Sequence, residues 1–181
     1  MKKILILLMV LSAGMMAQAQ ITKASLTASG LTCSMCSKAV KEALEEVGFV
    51  EKVQVDIKHQ RYNLTFKSDT PVDLDALGKA VEDAGFSVAS LSVTANTPDV
   101  KVAKDQHVQI GGQYFHFLNA DGQQLGGTAT FKVVDKQFVS AKEFKKYSAA
   151  SKMECVQTGK AGACCEADKV QAQARVYHVI I

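Results

Sequence analysis

Residues 21–57 read ITKASLTASGLTCSMCSKAVKEALEEVGFVEKVQVDI, and their hydrophobic spacing changes period twice. Ile21 to Ala28 alternates, with Ala24, Leu26 and Ala28 on one face, as a half-buried strand does. From Ser34 to Val47 the spacing becomes helical. Ala39, Val40, Ala43, Leu44 and Val47 fall on one side, and Lys38, Lys41, Glu42, Glu45 and Glu46 on the other. Gly48 supplies the helix stop, and Val53, Val55 and Ile57 return to alternation. The stretch therefore reads strand, helix, strand.

The same pattern follows once more. Lys58-His59-Gln60 turns the chain, and Tyr62, Leu64 and Phe66 alternate back. Thr70 suits a helix N-cap, Pro71 the first helical position and Asp73 the third. Leu74, Leu77, Val81 and Ala84 form a buried stripe, Gly85 ends it, and Val88 to Val93 is a strand. Glu46-Val47-Gly48-Phe49 and Asp83-Ala84-Gly85-Phe86 match as two helix ends. Two similar halves predict an α+β fold over residues 20–95, a ferredoxin-like βαββαβ sandwich with both helices on one face of an antiparallel sheet.

Outside this unit the pattern differs. Residues 96–98 read as a linker, and 99–181 as a small β-rich domain with a Cys-containing loop, possible as a barrel of the oligonucleotide/oligosaccharide-binding type. His107–Ile110, Tyr114–Leu118, Thr128–Val134 and Arg175–Ile181 read as strands, with turns at Gly111-Gly112, Asp121-Gly122 and Gly126-Gly127. Ala141–Ala150 reads as a short helix, and residues 151–172 are polar with little periodicity.

Residues 1–19 read as a secretory signal peptide. Lys2 and Lys3 precede the apolar Ile4–Leu11, and Ala17-Gln18-Ala19 is a small-x-small cleavage site. The apolar run is too short to span a bilayer, and Met15 stands where a lipoprotein box would carry its lipidated Cys. The expectation is a periplasmic or secreted protein with no stable membrane insertion. The whole chain has 21 Lys+Arg against 18 Asp+Glu. Losing Lys2 and Lys3 brings it to about +1, which gives no electrostatic case for nucleic acid.

All five Cys follow the leader: Cys33, Cys36, Cys155, Cys164 and Cys165. In an oxidising compartment pairing is the default, and an odd count leaves one thiol over. Cys33 and Cys36 sit between the first strand and the first helix. Cys36 falls in the first helical turn, where free backbone N–H groups favour a thiolate. Two thiolates two residues apart converge on one soft ion. They are few for a structural zinc site, which wants four ligands, but enough for a transferable one. A Cys33–Cys36 disulfide and a redox pair are the competing readings.

Gly30-Leu31-Thr32-Cys33-Ser34-Met35-Cys36, the alternating hairpin and Glu82-Asp83-Ala84-Gly85-Phe86 together resemble the heavy-metal-associated domain family of copper chaperones, copper-ATPase amino-terminal domains and periplasmic mercury-binding proteins. The resemblance covers residues 21–94. It implies that Cys33 and Cys36 are the metal ligands, with Thr32, Met35 and Phe86 around them. Leu31 stands where the family usually has Met, and Phe86 holds the place of its loop aromatic or Lys.

Cys155, Cys164 and Cys165 allow two readings: a disulfide from Cys155 to either neighbour, or a second thiolate site. His59, His107, His116 and His178 show no ligand spacing within one element. His116 alternates with Phe115 and Phe117, so it takes the face opposite theirs. No catalytic triad, phosphate loop or carboxylate pair stands out, and the chain is read as a non-enzyme. The sequence-level expectation is a metallochaperone-like carrier of Cu(I), with Hg(II) or Zn(II) as alternative ions and a metal-donor or metal-acceptor protein as partner. The rival is a thiol-disulfide oxidoreductase.

Overall fold

The computed structural model describes residues 19–181, so the expected leader lies outside the described residues except for Ala19. The first half is β1 (Gln20–Ser29), α1 (Ser34–Glu45), β2 (Val50–Asp56), β3 (Arg61–Phe66), α2 (Leu74–Asp83) and β4 (Ser87–Val102). The second is β5 (Gln106–Ile110), β6 (Gln113–Phe117), β7 (Gln123–Val133), α3 (Ala141–Ser148), α4 (Cys155–Thr158) and β8 (Val176–Ile180). Short 3-10 segments cover Ile57–His59 and Ala163–Asp168. The βαββαβ expectation holds: β2, β3, β1 and β4 pair antiparallel in that order, and α1 and α2 pack together.

Helix α2 starts later than its spacing implied. Its N-cap is Asp73, whose carboxylate accepts the Asp75 N–H at 3.0 Å. Thr70 instead donates its hydroxyl to Ser68 O at 3.3 Å, and Val72 is already buried ahead of the helix.

Residues 96–98, expected as a linker, lie inside β4. Thr97 pairs with Gly127 and the next partners are Val100 and Leu125, so β4 carries one extra residue there. Pro98 falls in this bulge, where no ladder donor is required. Gly126-Gly127, expected as a turn, lies in β7 opposite the bulge, and Gly127 takes a φ of 65°. Signals that normally punctuate elements here mark an irregularity within two long ones.

The barrel expectation is corrected as well. Strand β4 pairs with β1 from Ser87 to Asn96 and with β7 from Leu91 to Val102, so it hands the sheet onward. The result is one open sheet among the described residues, ordered β2-β3-β1-β4-β7-β8-β6-β5, with β6 and β8 parallel. The main core runs through both halves, from Leu26, Leu44 and Leu77 to Phe115, Phe131 and Tyr177. Phe138 reaches α2 at Gly78, where a Cβ would lie 3.3 Å from its ring.

Alternation along β6 and β8 sends Phe115, Phe117, Tyr177 and Val179 to that core. Tyr114, His116, Val176 and His178 therefore face the other side. Residues 151–172 cover that side with α4 and the second 3-10 segment, building a smaller cluster around Val134, Cys155, Cys165 and Val176.

Candidate metal-binding centres

The first centre sits at the N-terminus of α1. Gly30 takes a φ of 86° directly after β1, and the Phe86 ring lies 3.8 Å from where its Cβ would stand. Cys33 is the N-cap, with φ −151° and ψ 164°, and its sulfur accepts the Cys36 N–H at 3.3 Å. The two sulfurs lie 2.7 Å apart, with Thr32 Oγ1 3.9 Å from Cys36 Sγ. Cys33 is exposed and Cys36 half-buried. The Cys33 sulfur, then the Thr32 backbone, with the Thr32 hydroxyl and the Cys33 backbone behind them, hold the Cys36 thiol below its usual range against the opposing effect of burial. A depression of about 240 Å³ beside them is lined by Leu31, Thr32, Cys33, Ser34, Ser37, Ile57 and Gln60. Met35 is 68% exposed and points no sulfur into a packed site, while Phe86 is half-buried against the main core. Below the loop, Ser37 and the buried Tyr62 hydroxyl hydrogen-bond at 3.1 Å, tying α1 to β3.

The second centre lies where residues 151–172 cover the sheet. The sulfurs of Cys155, Cys164 and Cys165 fall within 4.8 Å of one another, and all three are free thiols. Burial, then hydrogen bonding to Cys165, pushes the Cys155 thiol far up. Burial also opposes the Cys164 thiolate, but the Cys155 backbone and the neighbouring sulfurs outweigh it and bring Cys164 below its usual range.

The sequence did not connect the histidines to this cluster. His107, His116 and His178 stand in register on β5, β6 and β8, each nearly or fully buried. Cys155 Sγ lies 3.9 Å from His107 Nε2 and 3.5 Å from His116 Nδ1. Each ring is gripped from its other nitrogen or side by a carboxylate: His107 Nδ1 by Asp168 at 2.7 Å, His116 Nε2 by Asp105 at 3.1 Å and His178 Nδ1 by Asp135 at 2.7 Å. His116 was expected on the face opposite Phe115 and Phe117, and it is there, but that face is covered and His116 is fully buried. His59 is an exposed turn residue paired with Asp56.

Comparison with known proteins bears on the first half. Residues 25–87 match the profile of the heavy-metal-associated domain. The mercuric transport protein periplasmic component of Pseudomonas fluorescens is 39% identical over 62 residues, 34% of this chain and 67% of that protein. A copper-transporting ATPase of Helicobacter pylori is 29% identical over 85 residues, 45% of this chain but 11% of the ATPase. The chain thus spans about a tenth of the length of that ATPase. Among solved structures, oxidized MerP from Ralstonia metallidurans CH34 aligns at 34% identity over 37% of this chain and 92% of its own, with a TM-score of 0.34.

Proposed function

The chain belongs to the heavy-metal-associated domain family through residues 25–87, and from that premise we propose that it is an exported carrier that binds Cu(I) through Cys33 and Cys36 and passes it to a partner's thiols. The observation that carries this reading is the pair of sulfurs at the N-terminus of α1, solvent-accessible and with the Cys36 thiol lowered. The unsatisfied N–H groups of the first helical turn favour negative charge on the Cys36 sulfur. Soft thiolates select Cu(I) over hard ions.

Transfer follows from low coordination. An ion held by two sulfurs leaves room for an incoming thiolate, which binds before either original bond breaks. With bonds near 2.3 Å a linear pair would set the sulfurs up to about 4.6 Å apart, and the exposed Cys33 side chain has space to rotate outward. Neither Met35 nor Phe86 brings a charge to the complex.

Hg(II) is the second reading, favoured by the mercuric transport relative. Both ions suit a dithiolate, and competition separates them. Reduced full-length protein is titrated anaerobically with Cu(I) against a chromophoric chelator, and with Hg(II) against a small dithiol. The expected result is one Cu(I) bound at Cys33 and Cys36 and lost in Cys36→Ser. Unchanged binding in Cys33→Ser/Cys36→Ser would refute the assignment, as would catalysis of disulfide exchange by metal-free protein with no metal uptake.

A further inference from the structure

We propose that His107, His116 and Cys155, with Cys164 or Cys165 completing the set, form a second site for one thiophilic d10 ion, Zn(II) or Cu(I), in the half of the chain beyond residue 98. This site is separate from Cys33 and Cys36 and does not rest on their role.

The spacing fits a metal. Tetrahedral Zn(II), with Zn–S near 2.3 Å and Zn–N near 2.0–2.1 Å, gives ligand edges of about 3.6 Å for S···N and about 3.8 Å for S···S. The S···N separations here are 3.5 and 3.9 Å. Both triads, His107–His116–Cys155 and Cys155–Cys164–Cys165, keep their ligand atoms within 4.8 Å, and Cys155 is common to both.

Orientation supplies the second line of argument. A ligating His usually donates its other ring N–H to a carboxylate, which fixes the tautomer and aims the lone pair. Asp168 accepts from His107 Nδ1 and Asp105 from His116 Nε2. Those bonds leave the lone pairs of His107 Nε2 and His116 Nδ1 facing Cys155. Asp168 also accepts the His107 backbone N–H at 2.9 Å, so the carboxylate is itself held in place. His178 Nε2, adjoining His116 with ring centroids 5.1 Å apart, is buried without a hydrogen-bond partner.

A third argument is structural need. Residues 151–172 contain one four-residue helix and one 3-10 segment, and their own cluster is small. A bound ion tying this segment to β5 and β6 would turn metal affinity into folding free energy. A depression of about 230 Å³ borders Cys155, Glu154, Gly162 and Gln173 on this segment.

The test uses the full-length Cys33→Ser/Cys36→Ser chain, reduced and kept anaerobic, so that failure of the first site cannot mimic failure of the second. One arm receives Zn(II) alone and the other Cu(I) alone, each against a competing chelator. About one equivalent retained in either arm, with both sulfur and imidazole nitrogen in the X-ray absorption of the loaded protein, supports the proposal, and the tighter arm names the ion. Adding Cys155→Ser should weaken binding more than about 100-fold. His116→Gln should weaken it and remove one nitrogen from the absorption signal. Because that spectrum is read on a chain whose second half is unaltered, misfolding of a variant does not decide the matter. No retained ion in either arm, or a shell of sulfur alone, overturns the proposal.

Discussion

His107 and His116 face each other across β5 and β6, ring centroids 4.5 Å apart and 31° from parallel, with Cys155 Sγ within reach of both. Burial, then the positive charges that His178 and His107 would carry, push His116 down to about 4 against the pull of Asp105. At neutral pH it is an uncharged imidazole, which is the form that binds a metal.

The carboxylates that aim these rings should matter without touching an ion. In the Cys33→Ser/Cys36→Ser background, Asp168→Asn and Asp105→Asn should each lower affinity at the second site by about 10–100-fold. Chelator competition checks this. Metal uptake by Cys33 and Cys36 in the otherwise natural chain should not change.

Cys33 has two separable roles. As N-cap it accepts the Cys36 N–H, and a serine hydroxyl does the same. Cys33→Ser should abolish tight Cu(I) binding at the first centre while leaving the denaturation midpoint unchanged or higher. Cys33→Ala should lose binding and also about 0.5–1 kcal/mol of stability. Urea unfolding beside Cu(I) titration distinguishes the two.

The lowered Cys36 thiol has a signed consequence in pH. A thiol titrating below its usual value stays a thiolate further into acid, and the thiolate is the nucleophile. Alkylation of Cys36 by iodoacetamide should therefore persist at pH values where a free cysteine peptide has stopped reacting. Thr32→Ala removes one hydrogen bond to the sulfur and should shift the profile upward. Mass mapping of alkylated peptides across pH reads this directly.

Arg175 joins the two halves. Its Nε and Nη2 grip Asp75 of α2 at 2.8 and 3.1 Å, and its guanidinium lies 4.2 Å from the Tyr177 ring centroid. Lysine cannot reproduce the fork or the stack. Arg175→Lys should cost about 1–2 kcal/mol, kept modest because the ion pair is partly solvated. The urea midpoint measures it, and Cu(I) binding at Cys33 and Cys36 should be unaffected.

The βαββαβ unit and the CxxC site were legible because their signals are local. Helical spacing in Ser34–Val47, alternation in Ile21–Ala28 and Gly48 or Gly85 as stops lie within single elements, and Cys33 and Cys36 are three residues apart. A resemblance spanning residues 21–94 then implied that the pair are metal ligands. Thr70-Pro71 misled because a good cap in sequence was displaced by Asp73, and residues 96–98 misled because Pro98 marks a bulge as readily as a linker.

What the sequence alone determined, then, is the fold of the first half and the placing of Cys33 and Cys36 at the start of its first helix, since short-range periodicity and spacing encode both. Tertiary structure decided the rest. His107, His116 and His178 come from three strands whose alignment depends on pairing register, and Cys155, Cys164 and Cys165 meet them only when residues 151–172 fold over that face. Register is set by long-range burial and backbone pairing, so no window of sequence contains it.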